Sequence, residues 1–141
     1  MTGWTSQELD AIEAADELEI ASVGRDSALG KPTTIWVVRV GDDLFVRSVR
    51  GSAGGWFRGT QVRREGRISA GGVTKDVTFV DPDDDLDERI DDAYRSKYRR
   101  YPSNTVGSVL TEQARSTTLM LTPRSATGRG PARVPTPGVS R

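Results

Sequence analysis

The sequence predicts an α+β domain, mainly β with flanking helices, that is built as a small antiparallel barrel or a strongly curled sheet. The order of patterns is one observation behind this: a helix, about five short strands, a long amphipathic helix and a returning strand. Most links between the strands are also too short for the crossovers that parallel strands need. With 141 residues, 35% of them hydrophobic, the chain has room for one core. We therefore predict one domain over residues 1–124.

The first part of the chain predicts a helix and three strands. Thr5 stands three residues before Glu8, the spacing of a capping box, and hydrophobic residues at helical intervals follow it, so we predict a helix over 5–16. Alternation and β-branched residues then predict strands at residues 18–23, 33–40 and 44–49. A Gly-Asp-Asp turn joins the last two strands into a hairpin.

The second part predicts three more strands and a long helix. Hydrophobic residues at helical spacing over 86–101, with Asp85 and Glu88 in a second capping-box spacing, predict an amphipathic helix. Its acidic start and basic end suit the helix dipole. Shorter helices are predicted at 56–65 and about 108–115. The remaining strands are predicted at residues 67–71, 73–80 and 117–123.

The last segment, residues 125–141, differs in composition from the rest of the chain. It holds three prolines, three glycines and three arginines, without an acidic or aromatic residue. Such a segment cannot bury enough apolar surface to offset its ordering entropy. We predict a disordered basic tail.

The absence of histidine and cysteine narrows the possible chemistry. A thiolate nucleophile, a Ser-His-Asp triad and the usual zinc site all need one of them. A general acid or base would be Asp, Glu, Lys, Tyr, water or a cofactor. Tyr94 and Tyr98, four residues apart on the predicted helix, are either core contacts with polar tips or candidate proton donors that face a pocket. We expect no metal site, because the consecutive aspartates of 81–85 lack the spacing of a calcium loop. Without a signal peptide or a long apolar run, the protein is expected to be cytoplasmic and free of membranes.

A basic, glycine-rich stretch near the middle of the chain predicts an anion site. The net charge is zero, yet residues 47–75 hold seven basic residues and one acidic residue. Phosphate sites use amide groups at a helix start, glycines that allow close approach, and guanidinium groups. Alternatively, the stretch is a mobile surface loop that pairs with acidic segments, or a subunit interface. The candidate cofactor-binding residues are Arg47, Ser48, Arg50, Gly51, Trp56 and Arg58.

Aromatic residues near this stretch could bind a flat molecule. Trp36 and Phe57 are the candidate substrate-binding residues, although aromatic residues in a small barrel also serve the core. The predicted partner is a small anionic ligand or a phosphorylated substrate. We do not expect nucleic-acid binding, since that usually needs an overall basic domain.

The order of these motifs resembles two groups of proteins. "GRDSALGKPTTIWVVRVGDDLFVRSVRGSAGGWFRG", followed by "IDDAYRSKYRRY" and "TTLMLTPR", is similar to a bacterial family of small proteins of uncharacterised function. It resembles more remotely the flavin- and deazaflavin-binding split-barrel proteins, which include deazaflavin-dependent nitroreductases. The resemblance spans roughly residues 18–124 and implies a split β-barrel of about six strands. Ser48, Arg50 and Gly51 match the place that holds the cofactor phosphate, and Trp56 matches the aromatic residue that opens the next helix.

The resemblance further implies a homodimer with the site between subunits, and FMN or a deazaflavin as cofactor. Gly59 departs from the pattern, since nitroreductase-like proteins favour asparagine there. The first hypothesis is therefore a split-barrel oxidoreductase-like protein whose Arg/Gly-rich loop holds a phosphate. The second is a cofactor-independent biosynthetic enzyme, catalysing a condensation or ring closure of Pictet–Spengler type on an aromatic and an anionic substrate. The third is a non-catalytic protein-interaction domain.

Overall fold

The dominant feature of the computed structural model is a seven-stranded antiparallel sheet that curls into a half barrel, as in an α+β split barrel. The structure describes residues 3–124, so the predicted tail lies outside the described residues. The strands are β1 Leu18–Ser22, β2 Thr33–Ile35, β3 Val38–Val40, β4 Asp43–Val46, β5 Glu65–Ala70, β6 Val73–Val80 and β7 Leu119–Pro123. The helices of the described part are α1 Ser6–Ala14, α2 Gly55–Arg63, α3 Asp87–Lys97, α4 Ser103–Gly107 and α5 Glu112–Arg115. None of them is long and apolar enough to cross a membrane.

The order of the strands brings the two ends of the sheet together. That order is β2-β1-β5-β6-β7-β4-β3, so the two edge strands follow one another in the chain. Only Trp36 and Val37 separate them, and the strand that the sequence predicts over 33–40 is in fact divided at these two residues. The chain therefore bridges the open seam of the barrel itself, without a ladder of hydrogen bonds between β2 and β3.

The backbone of Val37 at this seam is satisfied by side chains from the end of α3. Tyr98 Oη accepts a hydrogen bond from the Val37 amide at 3.2 Å and donates to the Asp16 carbonyl at 2.7 Å. Lys97 Nζ donates to the Val37 carbonyl at 2.8 Å. Buried backbone groups need hydrogen-bond partners. Because these side chains supply them, Val37 can lie between β2 and β3 without a partner strand.

The helix boundaries confirm one capping prediction and correct another. Thr5 Oγ1 accepts from the Glu8 amide and Glu8 Oε1 from the Thr5 amide, so the first capping box is present. At α3 the predicted box with Asp85 is wrong: a 3-10 turn precedes the helix, and the cap residue is Leu86, which offers no side-chain bond. Asp85 lies within that turn, whereas a capping residue needs an extended backbone.

The core has two parts. One part fills the curled sheet beneath α1 and includes Leu9, Ile12 and Phe79. The other packs α3 against β3 and β4, and the fully buried Tyr94 and Tyr98 are its largest members. The loops that follow β4 and surround α4 lie beside this second part, which fixes their positions.

A close approach of two strands makes Gly66 sensitive to substitution. A Cβ atom at Gly66 would lie 2.2 Å from the carbonyl oxygen of Ala21 and 2.7 Å from the ring of Phe79. We expect Gly66→Ala to lower the free energy of unfolding by about 1–3 kcal/mol, the usual effect of overpacking. Urea denaturation would measure this loss. Gly107→Ala is the control, because no atom lies within 4 Å of its added Cβ.

Candidate functional site

The candidate site begins where β4 ends. The chain leaves the strand at Arg47, makes a 3-10 turn over Gly51–Ala53 and enters α2 through its cap residue Gly54. Gly51 has a φ of +66°, a conformation that glycine adopts readily and that other residues rarely adopt. A strand end, a glycine turn and a helix start thus follow one another, in the order that the sequence predicts.

A cavity of about 540 Å³ lies against this loop. Its walls are the edge strand β2, the loop after β4, the first residues of α2 and part of α4. No acidic side chain of the described residues lines it. Five of the residues that the sequence selects for ligand binding come together here: Trp36, Arg47, Ser48, Arg50 and Trp56. Gly51, Phe57 and Arg58 are not part of its lining.

The hydroxyl group of Ser48 is the most unusual polar atom of this cavity. Ser48 is 1% exposed, and its Oγ has no hydrogen-bond partner among the described residues, although its amide donates to Thr117 Oγ1 at 2.9 Å. A Cβ atom at Gly54 would lie 2.5 Å from this Oγ, so glycine leaves room there. Buried hydroxyl groups are normally bonded, which makes Ser48 Oγ a candidate ligand contact.

The N-terminus of α2 adds a second anion-binding element. The cap residue Gly54 offers no side-chain acceptor to the first amides of this nine-residue helix. Gly54, Gly55 and Trp56 line the cavity. The free amides and the helix dipole therefore favour a negative group beside Ser48.

Arg47 lies in a different environment from the one that a phosphate contact requires. Its side chain is fully buried, and Nη1 bonds Asp91 Oδ1 at 2.5 Å and the Val109 carbonyl at 2.9 Å. Nε donates to Thr118 Oγ1 at 2.9 Å, and Nη2 lies 3.5 Å from Asp87 Oδ1. All three guanidinium nitrogens thus have protein partners, and two carboxylates compensate the charge.

Asp91 connects this buried arginine to α5. One carboxylate oxygen accepts from Arg47, and the other accepts from Arg115. Burial alone would raise the pKa of Asp91, but the hydrogen bonds from Arg115 and Arg47 outweigh burial and hold this pKa below its ordinary value. Asp91 is therefore charged at neutral pH and joins α3, β4 and α5.

The two tyrosines that the sequence proposes as proton donors lie outside the cavity lining. Tyr94 is completely buried, and its Oη has no partner among the described residues. Tyr98 Oη is bonded at the barrel seam. Burial raises the pKa of both tyrosines well above the usual value, and it lowers the pKa of Lys97 to about 8. Proton donation by Tyr94 or Tyr98 stays a prediction.

Aromatic stacking fixes one wall of the cavity. The rings of Trp36 and Tyr98 are parallel within 4°, with centroids 3.9 Å apart. One face of Trp36 is thereby covered, while the residue also lines the cavity. Trp56 makes an edge contact with Phe57, which packs against the core. Trp36 is therefore held in one orientation, as a platform for a flat ligand would require.

Asp91, the partner of Arg47, was not among the predicted site residues, but the pattern of α3 contains a signal for it. Asp91 falls on the same helical face as Tyr94 and Tyr98, and an acidic residue within an apolar stripe indicates a buried ion pair. Ser108 and Thr105, which also line the cavity, follow the long helix without a recognisable motif. They could be found only from the fold.

A second cavity of about 520 Å³ adjoins the first and shares Thr33, Gly55 and Trp56 with it. Leu29 and Val62, both strongly exposed, line this second cavity. Residues 3–124 contain no group of three or more acidic side chains that could hold a metal ion.

Comparison with known proteins identifies the family. A family model described as an uncharacterized protein conserved in bacteria (DUF2255) matches residues 8–121. The chain belongs to this family. No curated protein matches it.

Solved structures share the fold at low sequence identity. HutZ, the heme storage protein of Vibrio cholerae, superposes with a TM-score of 0.54 at 14% identity, over 82% of this chain and 87% of that chain. An F420 reductase gives a TM-score of 0.50 at 14% identity, over 82% and 90% of the two chains. Atu2129 of Agrobacterium tumefaciens, a protein of unknown function, gives a TM-score of 0.61 at 8% identity. The superposition spans 82% of this chain and 50% of Atu2129. Such likenesses show a common fold, the split barrel, and not a common activity.

Proposed function

We propose that this protein is a split-barrel, oxidoreductase-like protein that binds a flavin or a deazaflavin. The cofactor phosphate would lie in the first cavity, against the loop that follows β4. The observation that carries this proposal is Ser48 Oγ, which is buried and unbonded at the wall of a cavity without acidic residues. Arg50 and the first turn of α2 line the same wall. A phosphate would satisfy the hydroxyl group, the helix amides and the guanidinium group together.

Each part of the cavity would have a separate task. Ser48, Arg50 and the amides of Gly55 and Trp56 at the start of α2 would hold the phosphate, and Trp36 would support the ring on the face that Tyr98 leaves uncovered. The bound ring would supply hydride chemistry, so the chain itself needs to bind, orient and shield it. This division of tasks agrees with the lack of histidine in the chain.

Of the two ligands named for the similar structures, F420 fits this cavity better than heme does. Heme iron takes an axial ligand from His, Cys, Met or Tyr. The described cavity lining holds none of these residue types. F420 is a deazaflavin, and the likeness to an F420 reductase supports the proposal at the level of fold.

We also propose that the protein forms a homodimer through the face that carries the cavities. Val49, 53% exposed, lines the first cavity, and Leu29 and Val62 line the second. These three are the large exposed hydrophobic residues of the described part, and such residues often mark an interface. Light scattering of the purified protein would measure its mass in solution.

Ligand titration tests the proposed function. We expect FMN or F420 to quench tryptophan fluorescence with a dissociation constant in the micromolar range or below, because Trp36 and Trp56 line the cavity. Riboflavin, which lacks the phosphate, is expected to bind at least about 10-fold more weakly than FMN, since charged hydrogen bonds contribute about 1.5–3 kcal/mol. If neither FMN nor F420 binds at high micromolar concentration, the proposal is wrong.

A further inference from the structure

The two arginines of the loop differ in how their charges are compensated. Arg47 is paired with Asp91 and Asp87 inside the protein. Arg50 is exposed, lines the cavity and forms no ion pair with any described residue. The uncompensated positive charge at the cavity wall thus belongs to Arg50.

The backbone of Arg50 is held from outside by α5. Gln113 Nε2 donates to the carbonyl oxygen of Arg50 at 2.7 Å. The side chain of Gln113 also occupies the space that a side chain at position 51 would need, since a Cβ on Gly51 would lie 2.2 Å from Gln113 Cγ. Gln113 therefore contacts the turn at two neighbouring residues, Arg50 and Gly51.

The helix that carries Gln113 is itself anchored to the interior. Thr111 caps α5 by accepting from the Ala114 amide at 3.0 Å. Arg115 bonds Asp91, the carboxylate that also holds Arg47. Gln113 thus connects the exposed turn to the buried ion-pair network.

We propose that Gln113 is a positioning residue for the anion site, and that Arg50 rather than Arg47 contacts the phosphate. By fixing the Arg50 carbonyl, Gln113 keeps the guanidinium group at the cavity wall and the turn over Gly51–Ala53 closed. This inference rests on the proposed function for the identity of the anion, but the contact between α5 and the turn is independent of any ligand.

The experiment compares Gln113→Met with the wild-type protein. Methionine has a similar length and fills the space beside Gly51, but it cannot donate a hydrogen bond. Gln61→Met is the matched control, because Gln61 is also an exposed glutamine, and its amide bonds Thr60. Both variants should remain folded, since each loses one hydrogen bond of an exposed side chain.

Hydrogen exchange of the ligand-free protein is the first measurement. The amides of Gly51 and Gly54 are bonded within the turn, to the carbonyls of Ser48 and Gly51. We expect both amides to exchange at least about 3-fold faster in Gln113→Met and at the wild-type rate in Gln61→Met. Unchanged exchange in Gln113→Met would overturn the proposal, whether or not a cofactor binds.

Titration with FMN and riboflavin is the second measurement. In Gln113→Met we expect FMN to bind roughly 3- to 10-fold more weakly, with riboflavin binding unchanged, as loss of one hydrogen bond implies. An equal loss for both ligands would assign Gln113 a general structural role and overturn the proposal. If exchange rises but the wild-type protein binds neither FMN nor F420, the proposed function fails while the role of Gln113 in holding the turn is supported.

Discussion

Replacing Asp91 by alanine is expected to lower the free energy of unfolding by about 3–5 kcal/mol. Asp91 is 2% exposed and accepts from both Arg47 and Arg115. Its removal leaves the guanidinium group of Arg47 buried with only the more distant carboxylate of Asp87. Removing one member of a buried ion pair is costly for this reason, although the pair itself adds little net stability.

Chemical denaturation of Asp91→Ala and Asp92→Ala would separate this effect from a general effect of charge. Asp92 is the next residue on α3, and its exposed carboxylate pairs with Arg95 in the same helix. Exposed pairs contribute about 0–1 kcal/mol, so Asp92→Ala should be close to the wild type. Similar losses in the two variants would show that the buried network does not carry the stability.

The lowered pKa of Asp91 determines how this residue makes stability depend on pH. The pKa of Asp91 is lowered in the folded protein, so the folded state holds the deprotonated form more strongly than the unfolded chain does. Its contribution is complete above the unfolded pKa of about 3.9 and is lost as the pH falls through the lower, folded pKa. We expect thermal melts between pH 5 and pH 2 to show a steeper fall for the wild type than for Asp91→Ala. Parallel curves would contradict this.

Local patterns were sufficient for most of the fold. The capping box at Thr5, the hairpin that joins β3 to β4, and the apolar face of α3 each depend on residues close in sequence. The break at Val37 could not be predicted in this way, because the stretch is continuously β-branched and aromatic. The partners that satisfy Val37, Lys97 and Tyr98, lie about 60 residues later.

The position of the candidate cavity could be predicted from the sequence, but the contacts of the residues around it could not. Glycines and arginines between a strand and a helix indicated the loop, and five of the selected residues line one cavity. The charge pattern could not show that Arg47 points inward, because its partner Asp91 lies on a helix 44 residues away. Nor could it show Gln113, whose contact with Arg50 spans 63 residues.

Replacing Arg50 by alanine is expected to weaken FMN binding by about 10- to 150-fold, the loss that corresponds to a charged hydrogen bond of about 1.5–3 kcal/mol. Riboflavin binding should change little, because the guanidinium group serves the phosphate and not the ring. Stability should also be unaffected, since the Arg50 side chain is exposed and the bond from Gln113 is made to its backbone carbonyl.

Fluorescence titrations of Arg50→Ala with FMN and with riboflavin would measure the loss of affinity for each ligand. Arg89→Ala is the control for lost charge, because Arg89 is an exposed arginine on α3. A conservative Arg50→Lys variant should recover part of the affinity for FMN, because lysine keeps the charge but loses the bidentate geometry. If Arg50→Ala binds FMN as tightly as the wild type, the phosphate does not lie at this wall. A different ligand would then be needed beside Ser48 Oγ, which is buried without a partner among the described residues, and beside the uncapped start of α2.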